Sequence, residues 1–71
     1  MAYFAYVHQK LLRMVVTDDE GNKELDISLP ESTSIRSTSV QALKDNGFLM
    51  GSKWTEHSNY SYAEVRRDAP R

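Results

Sequence analysis

The chain of 71 residues contains no cysteine, two prolines and three glycines. Without cysteine it forms neither a disulfide framework nor a thiolate metal site. No apolar run approaches the roughly 18 residues that a membrane-spanning helix needs. The N-terminus also lacks the early positive charge and the long apolar region of a signal peptide. We therefore expect one small, soluble, cytoplasmic domain over residues 1–71, with residues 68–71 as a frayed tail.

A strong charge of one sign is missing as well. Nine basic and ten acidic residues leave a formal net charge of −1, which provides no long-range field for attracting nucleic acid or anionic lipid. The hydrophobic fraction of 39% is above that of disordered chains, and one Trp, four Tyr and two Phe add volume to a core. The composition predicts a small folded domain with an aromatic contribution to its core.

The residue patterns of metal, nucleotide and nucleophile sites are also lacking. His8 and His57 lie far apart, and neither has a second ligand at a metal-binding spacing. The acidic residues 18–20 lack the alternating ligand positions of a calcium loop, so they predict a solvated turn. The hydroxyls of residues 32–39 have no nucleophile elbow, and the glycines form no phosphate loop. We predict that the protein is not an enzyme and uses neither a metal nor a cofactor.

The clearest predicted element is a short helix. Thr38 and Gln41 have the spacing of a capping box at its start, and Gly47 permits the left-handed backbone that ends a helix. Val40 and Leu43 lie three residues apart and share one face. About two turns are not stable alone in water, so we expect this face to pack on an apolar sheet.

Residues 2–17 are rich in apolar side chains. We predict strands over residues 3–7 and 11–17, with a bend or a bulge between them, because the second segment ends in β-branched residues. Apolar residues also recur at helical spacing here, which leaves a short N-terminal helix as the alternative.

A hairpin follows at the turn over residues 18–22. Residues 23–29 alternate between polar and apolar side chains, as a half-buried strand does. If Asp18 pairs with Lys23, three apolar pairs share one side of the sheet: Leu12 with Leu29, Met14 with Ile27, and Val16 with Leu25. This is the side on which the helix is expected to lie.

Pro30 ends this strand, and the polar residues 31–39 predict a surface crossover into the helix. The alternative is a mobile loop that contacts a partner or accepts phosphate. After the helix we predict a third strand over residues 48–54, with a bulge or a close approach at Gly51, and a fourth over residues 60–67.

The expected fold class is therefore α+β. The elements follow the order β-β-α-β-β, and one short helix packs on a three- to four-stranded antiparallel sheet in two layers. Phe48, Met50 and Trp54 are expected on one face of the third strand.

Aromatic and basic residues gather in the C-terminal hairpin: Lys53, Trp54, His57, Tyr60, Tyr62, Arg66, Arg67 and Arg71. Tyr, Trp and Arg are the residue types enriched at the energetic centres of protein interfaces. The same residues are also what a small two-layer core uses. We predict a partner-binding site composed of Lys53, Trp54, Tyr60, Tyr62, Arg66 and Arg67.

The functional hypothesis is a small non-catalytic binding protein, an inhibitor or an adaptor with a protein partner. Its size is typical of phage or mobile-element products. The alternative is an RNA-binding or single-stranded nucleic acid-binding module that stacks bases on the same hairpin, although Glu56, Glu64 and Asp68 dilute the positive charge there. A homodimer formed through an unpaired edge strand is a further hypothesis.

Overall fold

The structure, a computed structural model, describes residues 2–31 and 34–68. Its elements are β1 (Tyr3–His8), β2 (Arg13–Asp18), β3 (Lys23–Ser28), α1 (Ile35–Asp45), β4 (Phe48–Met50), β5 (Thr55–Glu56) and β6 (Ser61–Arg67). The strands pair antiparallel in the order β3-β2-β1-β6-β4, and β5 pairs with β6 as well. Within the described residues, one helix on an antiparallel sheet agrees with the predicted α+β plan. The predicted strand number and the order β-β-α-β-β are wrong, since the sheet formed by the described residues has six strands.

The first additional strand comes from a complete turn between β1 and β2. Leu12 takes a φ of 51°, a left-handed conformation that helps to reverse the chain. β1 therefore pairs with β2 as a separate strand, from Tyr3 opposite Asp18 to His8 opposite Arg13. The alternative of an N-terminal helix is wrong.

The second additional strand arises because a bulge divides the predicted third strand. The amides of Gly51 and Ser52 both donate to the carbonyl of Glu64, over 2.8 and 3.1 Å. A Cβ at Gly51 would lie 3.1 Å from the same carbonyl oxygen. Gly51 is thus a β-bulge, and its backbone also lies close to that of β6. Beyond it the chain resumes pairing as β5, so Thr55 and Glu56 form a short strand between the two predicted ones.

The predicted register of the β2–β3 hairpin is correct except next to the turn. Met14 pairs with Ile27 and Val16 with Leu25, as the apolar pattern requires. The register then shifts, and Lys23 pairs with Thr17 instead of Asp18.

Asp18 closes the hairpin turn instead of pairing across it. Its amide donates to the carbonyl of Asn22 over 2.9 Å. Its Oδ1 accepts the amides of Asn22 (2.8 Å) and Glu20 (2.9 Å). These hydrogen bonds lower the pKa of the Asp18 carboxyl, and the one from the Asn22 amide has the largest effect.

The helix begins earlier than predicted. Ser34 is its N-cap, with a side-chain oxygen that accepts the amide of Ser37. Thr38, the predicted cap, lies inside α1 and donates its hydroxyl to the carbonyl of Ser34 over 3.0 Å. The start at Ile35 brings an additional apolar side chain against the core, which the cap at Thr38 would have left in the loop.

The end of the helix agrees with the prediction. Asn46 is the C-cap, and Gly47 follows with a φ of +84°, which a residue with a Cβ adopts only at a cost. The amide of Gly47 donates to the carbonyl of Lys44 over 3.1 Å. The chain then turns directly into β4, and Phe48 joins Leu43 in the core.

One hydrophobic core lies between α1 and the sheet. Its buried members are Ala5, Val7, Met14, Val16, Leu29, Leu43, Phe48 and Val65. Leu43 is buried as predicted, whereas Val40 is only half-buried and lies outside this cluster. Ser39 is buried instead and donates its hydroxyl to the carbonyl of Ile35 over 2.6 Å. The earlier helix start accounts for this, because residues 35, 39 and 43 then form the inner stripe.

The amide of Asp68 donates to the carbonyl of Gly47 over 2.7 Å, so this first residue of the predicted tail is attached to the turn after α1. The rest of that tail, residues 69–71, and residues 32–33 of the crossover lie outside the described residues. In the part of the chain that the structure describes, no helix is long and apolar enough to cross a membrane.

Candidate binding surface

The sheet has a second side, away from α1, which we call the open face. Side chains of a strand alternate between the two sides. In β1, Ala5 and Val7 are buried in the core, so Phe4, Tyr6 and His8 project from the open face. The strand that lies near the middle of the sheet therefore presents three rings in a row on its uncovered side.

Strand pairing brings further rings next to these. Tyr6 lies directly opposite Tyr62 of β6, and their ring centroids are 6.0 Å apart. Tyr60 precedes β6 and contacts Tyr6 at 6.0 Å and His8 at 5.8 Å. The amide of His57 donates to the carbonyl of Tyr60 over 2.7 Å, which closes a tight turn and brings the imidazole to the same place.

His57 lies across two tyrosine rings. Its centroid is 5.0 Å from that of Tyr60 and 5.2 Å from that of Tyr62, with interplanar angles of 22° and 19°. Because Tyr60 and Tyr62 are only 6.3 Å apart, the imidazole covers both rings and does not separate them. These contacts define what we call the ring cluster: Tyr6, His8, His57, Tyr60 and Tyr62.

Charges near the ring cluster are of both signs. Arg13 lies opposite His8 and donates from Nε to Oδ1 of Asp26 over 2.6 Å, with a second bond from its Nη2 to Oδ2. Lys23 reaches the same carboxylate at 3.2 Å. The hydrogen bond from Arg13, supported by Lys23, lowers the pKa of Asp26 to about 2, and the same hydrogen bond raises the pKa of Arg13. The open face is therefore not uniformly positive.

Three of the six predicted partner-binding residues, Tyr60, Tyr62 and Arg66, lie on the open face. Arg66 is exposed and shares the open side of β6 with Tyr62, four residues away. Lys53 is exposed in the segment between β4 and β5.

Arg67 lies on the other side of the sheet. Its guanidinium sits 5.3 Å from the ring centroid of Tyr3 and 5.0 Å from that of Phe48. It donates to the carboxylate of Glu24 over 2.8 Å. Arg67 therefore covers the margin of the core, and it does not join Arg66 in a common basic patch.

Trp54 lies on the helix side as well. It is half-buried and packs against the core cluster. Among the described residues, its Nε1 is the buried side-chain nitrogen or oxygen that has no hydrogen-bond partner. Trp54 is thus separated by the sheet from the ring cluster.

His57 was counted in the aromatic and basic hairpin but not among the six predicted site residues, and two further members of the ring cluster, Tyr6 and His8, were not predicted at all. The signal that could have found them is the alternation in β1, which places residues 4, 6 and 8 on one side. The missing information was that β1 lies beside β6, a pairing of residues that are 54 to 62 positions apart in the chain.

The two sheet edges carry features that limit pairing with a long strand of another chain. β3 presents Lys23, Glu24 and Asp26 along its length, and charged residues are a common protection of an edge. β4 has only three residues before the bulge at Gly51 interrupts it. The predicted homodimer through an edge strand stays a prediction.

Within residues 2–31 and 34–68, no group of three or more His, Asp or Glu side chains is placed to hold a metal ion. Comparisons with protein-family models, with curated proteins and with solved structures found no match. The geometry of the open face is therefore the basis on which a function can be proposed.

Proposed function

We propose that the protein is a small binding protein, an adaptor or an inhibitor, that docks on a partner protein through the open face. The observation that carries this proposal is the ring cluster, five rings joined by six ring contacts on the side of the sheet that α1 does not cover. Tyrosine offers a large contact area with little rotamer entropy to lose, and its hydroxyl retains a hydrogen bond.

The charges on this face favour a protein partner over a nucleic acid. Arg13 is engaged with Asp26, and Glu64 lies between Tyr62 and Arg66 on the same side of β6. Binding to a phosphate backbone draws its affinity from an excess of cations, which this face does not have.

The stacking within the ring cluster favours the same conclusion. Proteins that bind single strands stack bases on the faces of aromatic side chains. Here the imidazole of His57 lies over Tyr60 and Tyr62, at 5.0 and 5.2 Å, and occupies the place that a base would take. A protein partner needs only the outer surface of the cluster, so no ring has to be displaced.

The proposal is tested by capture from a nuclease-treated lysate of the source cells. The baits are the wild type, a His57→Ala/Tyr62→Thr variant, and Asp45→Asn on the exposed side of α1 as the matched control. Threonine keeps the β-propensity of position 62. We expect a protein that the wild type and the control retain and the double variant loses, with an affinity for the purified partner at least about ten-fold weaker in the double variant.

Equal capture by the wild type and the double variant would overturn the proposal. Capture from an untreated lysate that is lost in the nuclease-treated one, together with salt-dependent binding of an oligonucleotide, would assign the ring cluster to a nucleic acid instead. Circular dichroism of the double variant confirms that the comparison is made between folded proteins.

A further inference from the structure

A second surface lies on the helix side, between α1 and the segment from β4 to β5. It is an open groove with a volume of about 620 Å³. We call it the edge groove; its main lining residues are Arg36, Val40, Lys44, Met50 and Trp54. The ring cluster is on the opposite side of the sheet, so the two surfaces are separate.

The two walls of the edge groove run in opposite directions. Gly47 turns the chain from the end of α1 into β4, which brings Met50 near the end that contains Lys44. At the other end Arg36 forms an ion pair with Glu56, two residues after Trp54. The groove thus has a cation of α1 at each end and an apolar middle formed by half-buried Val40, Met50 and Trp54.

The backbone of β4 adds unpaired polar groups along this edge. The amide of Gly51 donates to the carbonyl of Glu64, and that of Asp68 donates to the carbonyl of Gly47. Because bonded and non-bonded positions alternate in an antiparallel pair, the amides and carbonyls of Phe48 and Met50 point away from β6. An extended peptide beside β4 would find backbone partners there and would direct alternate side chains into the groove.

The spacing of Arg36 and Lys44 determines how far apart two acidic residues of a peptide ligand should be. Arg36 and Lys44 are eight residues apart on α1, which corresponds to about 12 Å along the helix axis. An extended chain covers this distance in about four residues and turns every second side chain to the same side. A matching segment has acidic residues at its first and fifth positions and an apolar residue at the third, above Val40.

We propose that the edge groove binds an extended peptide segment of a partner with this acidic, apolar, acidic pattern. Lys44 has no ion pair with the residues that the structure describes. Arg36 is paired with Glu56, but both side chains are more than half exposed, at 53% and 65%. A surface pair of this kind contributes little, so a carboxylate of the ligand can replace Glu56 at the guanidinium.

Trp54 provides the measurement, because it is the only tryptophan of the chain and lines the groove. The probe is the capped peptide Gly-Glu-Ser-Leu-Ser-Glu-Gly, and its control has glutamine in place of both glutamates. We expect a saturable change in Trp54 emission and a weaker affinity for the control peptide. Lys44→Gln should weaken binding of the acidic peptide about two- to five-fold, whereas Lys10→Gln in the β1–β2 turn should leave it unchanged.

Glu56→Gln provides the sharpest test, since it removes the carboxylate that competes for Arg36 and should tighten binding about two-fold. No emission change at millimolar peptide, or equal affinities for the two peptides, would overturn the proposal. Tyr62→Thr should have no effect on this binding. If Tyr62→Thr abolished it and Lys44→Gln did not, the peptide would bind the open face, and the edge groove would have no role.

Discussion

The two sides of the sheet use alternate residues of the same strands for different purposes. In β1, Ala5 and Val7 face α1 and are buried at 0% and 3% exposure, whereas Tyr6 and His8 face outward and remain half-buried. On the helix side, the side chains fill the closed space between α1 and the sheet. The open face carries rings with a polar atom at the edge, which tolerate both water and a partner.

This difference separates stability from recognition in a very small protein. The eleven residues of α1 are not stable as an isolated helix, so the helix depends on its contacts with the core. Substitutions on the helix side should therefore act through the free energy of unfolding. Substitutions in the ring cluster should act mainly through binding.

The largest expected effect is that of Leu43→Ala. Leu43 is 1% exposed at the centre of the contact between α1 and the sheet. Its truncation should lower the free energy of unfolding by about 2–5 kcal/mol, because it removes buried methyl groups and leaves a cavity. Urea denaturation of the wild type and the variant measures this. Leu11→Ala is the control, since Leu11 is 71% exposed and should change stability by less than about 0.5 kcal/mol.

A smaller effect is expected for Tyr62→Thr on the open face. The ring of Tyr62 contacts Tyr6 and His57, and such ring pairs contribute about 0.5–1.5 kcal/mol beyond their buried area. The variant should remain folded in the same denaturation experiment while losing the partner. A loss of stability as large as that of Leu43→Ala would show that the ring cluster is a second core and would remove the contrast between the two sides.

Local patterns were sufficient to predict part of this fold. The stop signal of Asn46 and Gly47 and the pairing of Met14 with Ile27 depend on residues close in the chain, and both are correct. The pairing of β1 with β6 joins the two ends of the chain, and no local pattern contains that information. The start of α1 was missed because Ser34 and Thr38 both offer a capping hydroxyl, and the packing of half-buried Ile35 against the core decides between them.

The predicted binding site was partly wrong because successive residues of a strand point to opposite sides of the sheet. Tyr62 and Arg67 are five residues apart in one strand, so an uninterrupted strand directs them to opposite sides. Trp54 was expected on the same side as Phe48 and Met50, which is the helix side. The prediction of a joint site for Trp54, Tyr62 and Arg67 therefore combined residues that alternation separates. Applying alternation to β1 as well would have added Tyr6 and His8.

The smallest expected effect concerns Asp26, at the margin of the open face on β3. Its pKa is lowered to about 2 by the hydrogen bond from Arg13, whereas an unfolded aspartate titrates near pH 3.9. The interaction therefore stabilises the fold fully above about pH 4, and this contribution is lost as the pH falls toward 2. The wild type should lose more free energy of unfolding than Asp26→Asn over this interval, because the asparagine does not titrate.

Urea denaturation at several pH values between 2 and 5 measures the difference between the two curves. Asp18 also has a lowered pKa, but it is present in both proteins and cancels from that difference. Asp19→Asn in the neighbouring turn is the matched control and should follow the wild type. Parallel curves for the wild type and Asp26→Asn would mean that the contact with Arg13 adds nothing in solution. In that case Arg13 would be a free cation beside His8, and the argument that balanced charge favours a protein over a nucleic acid on the open face would lose one of its supports.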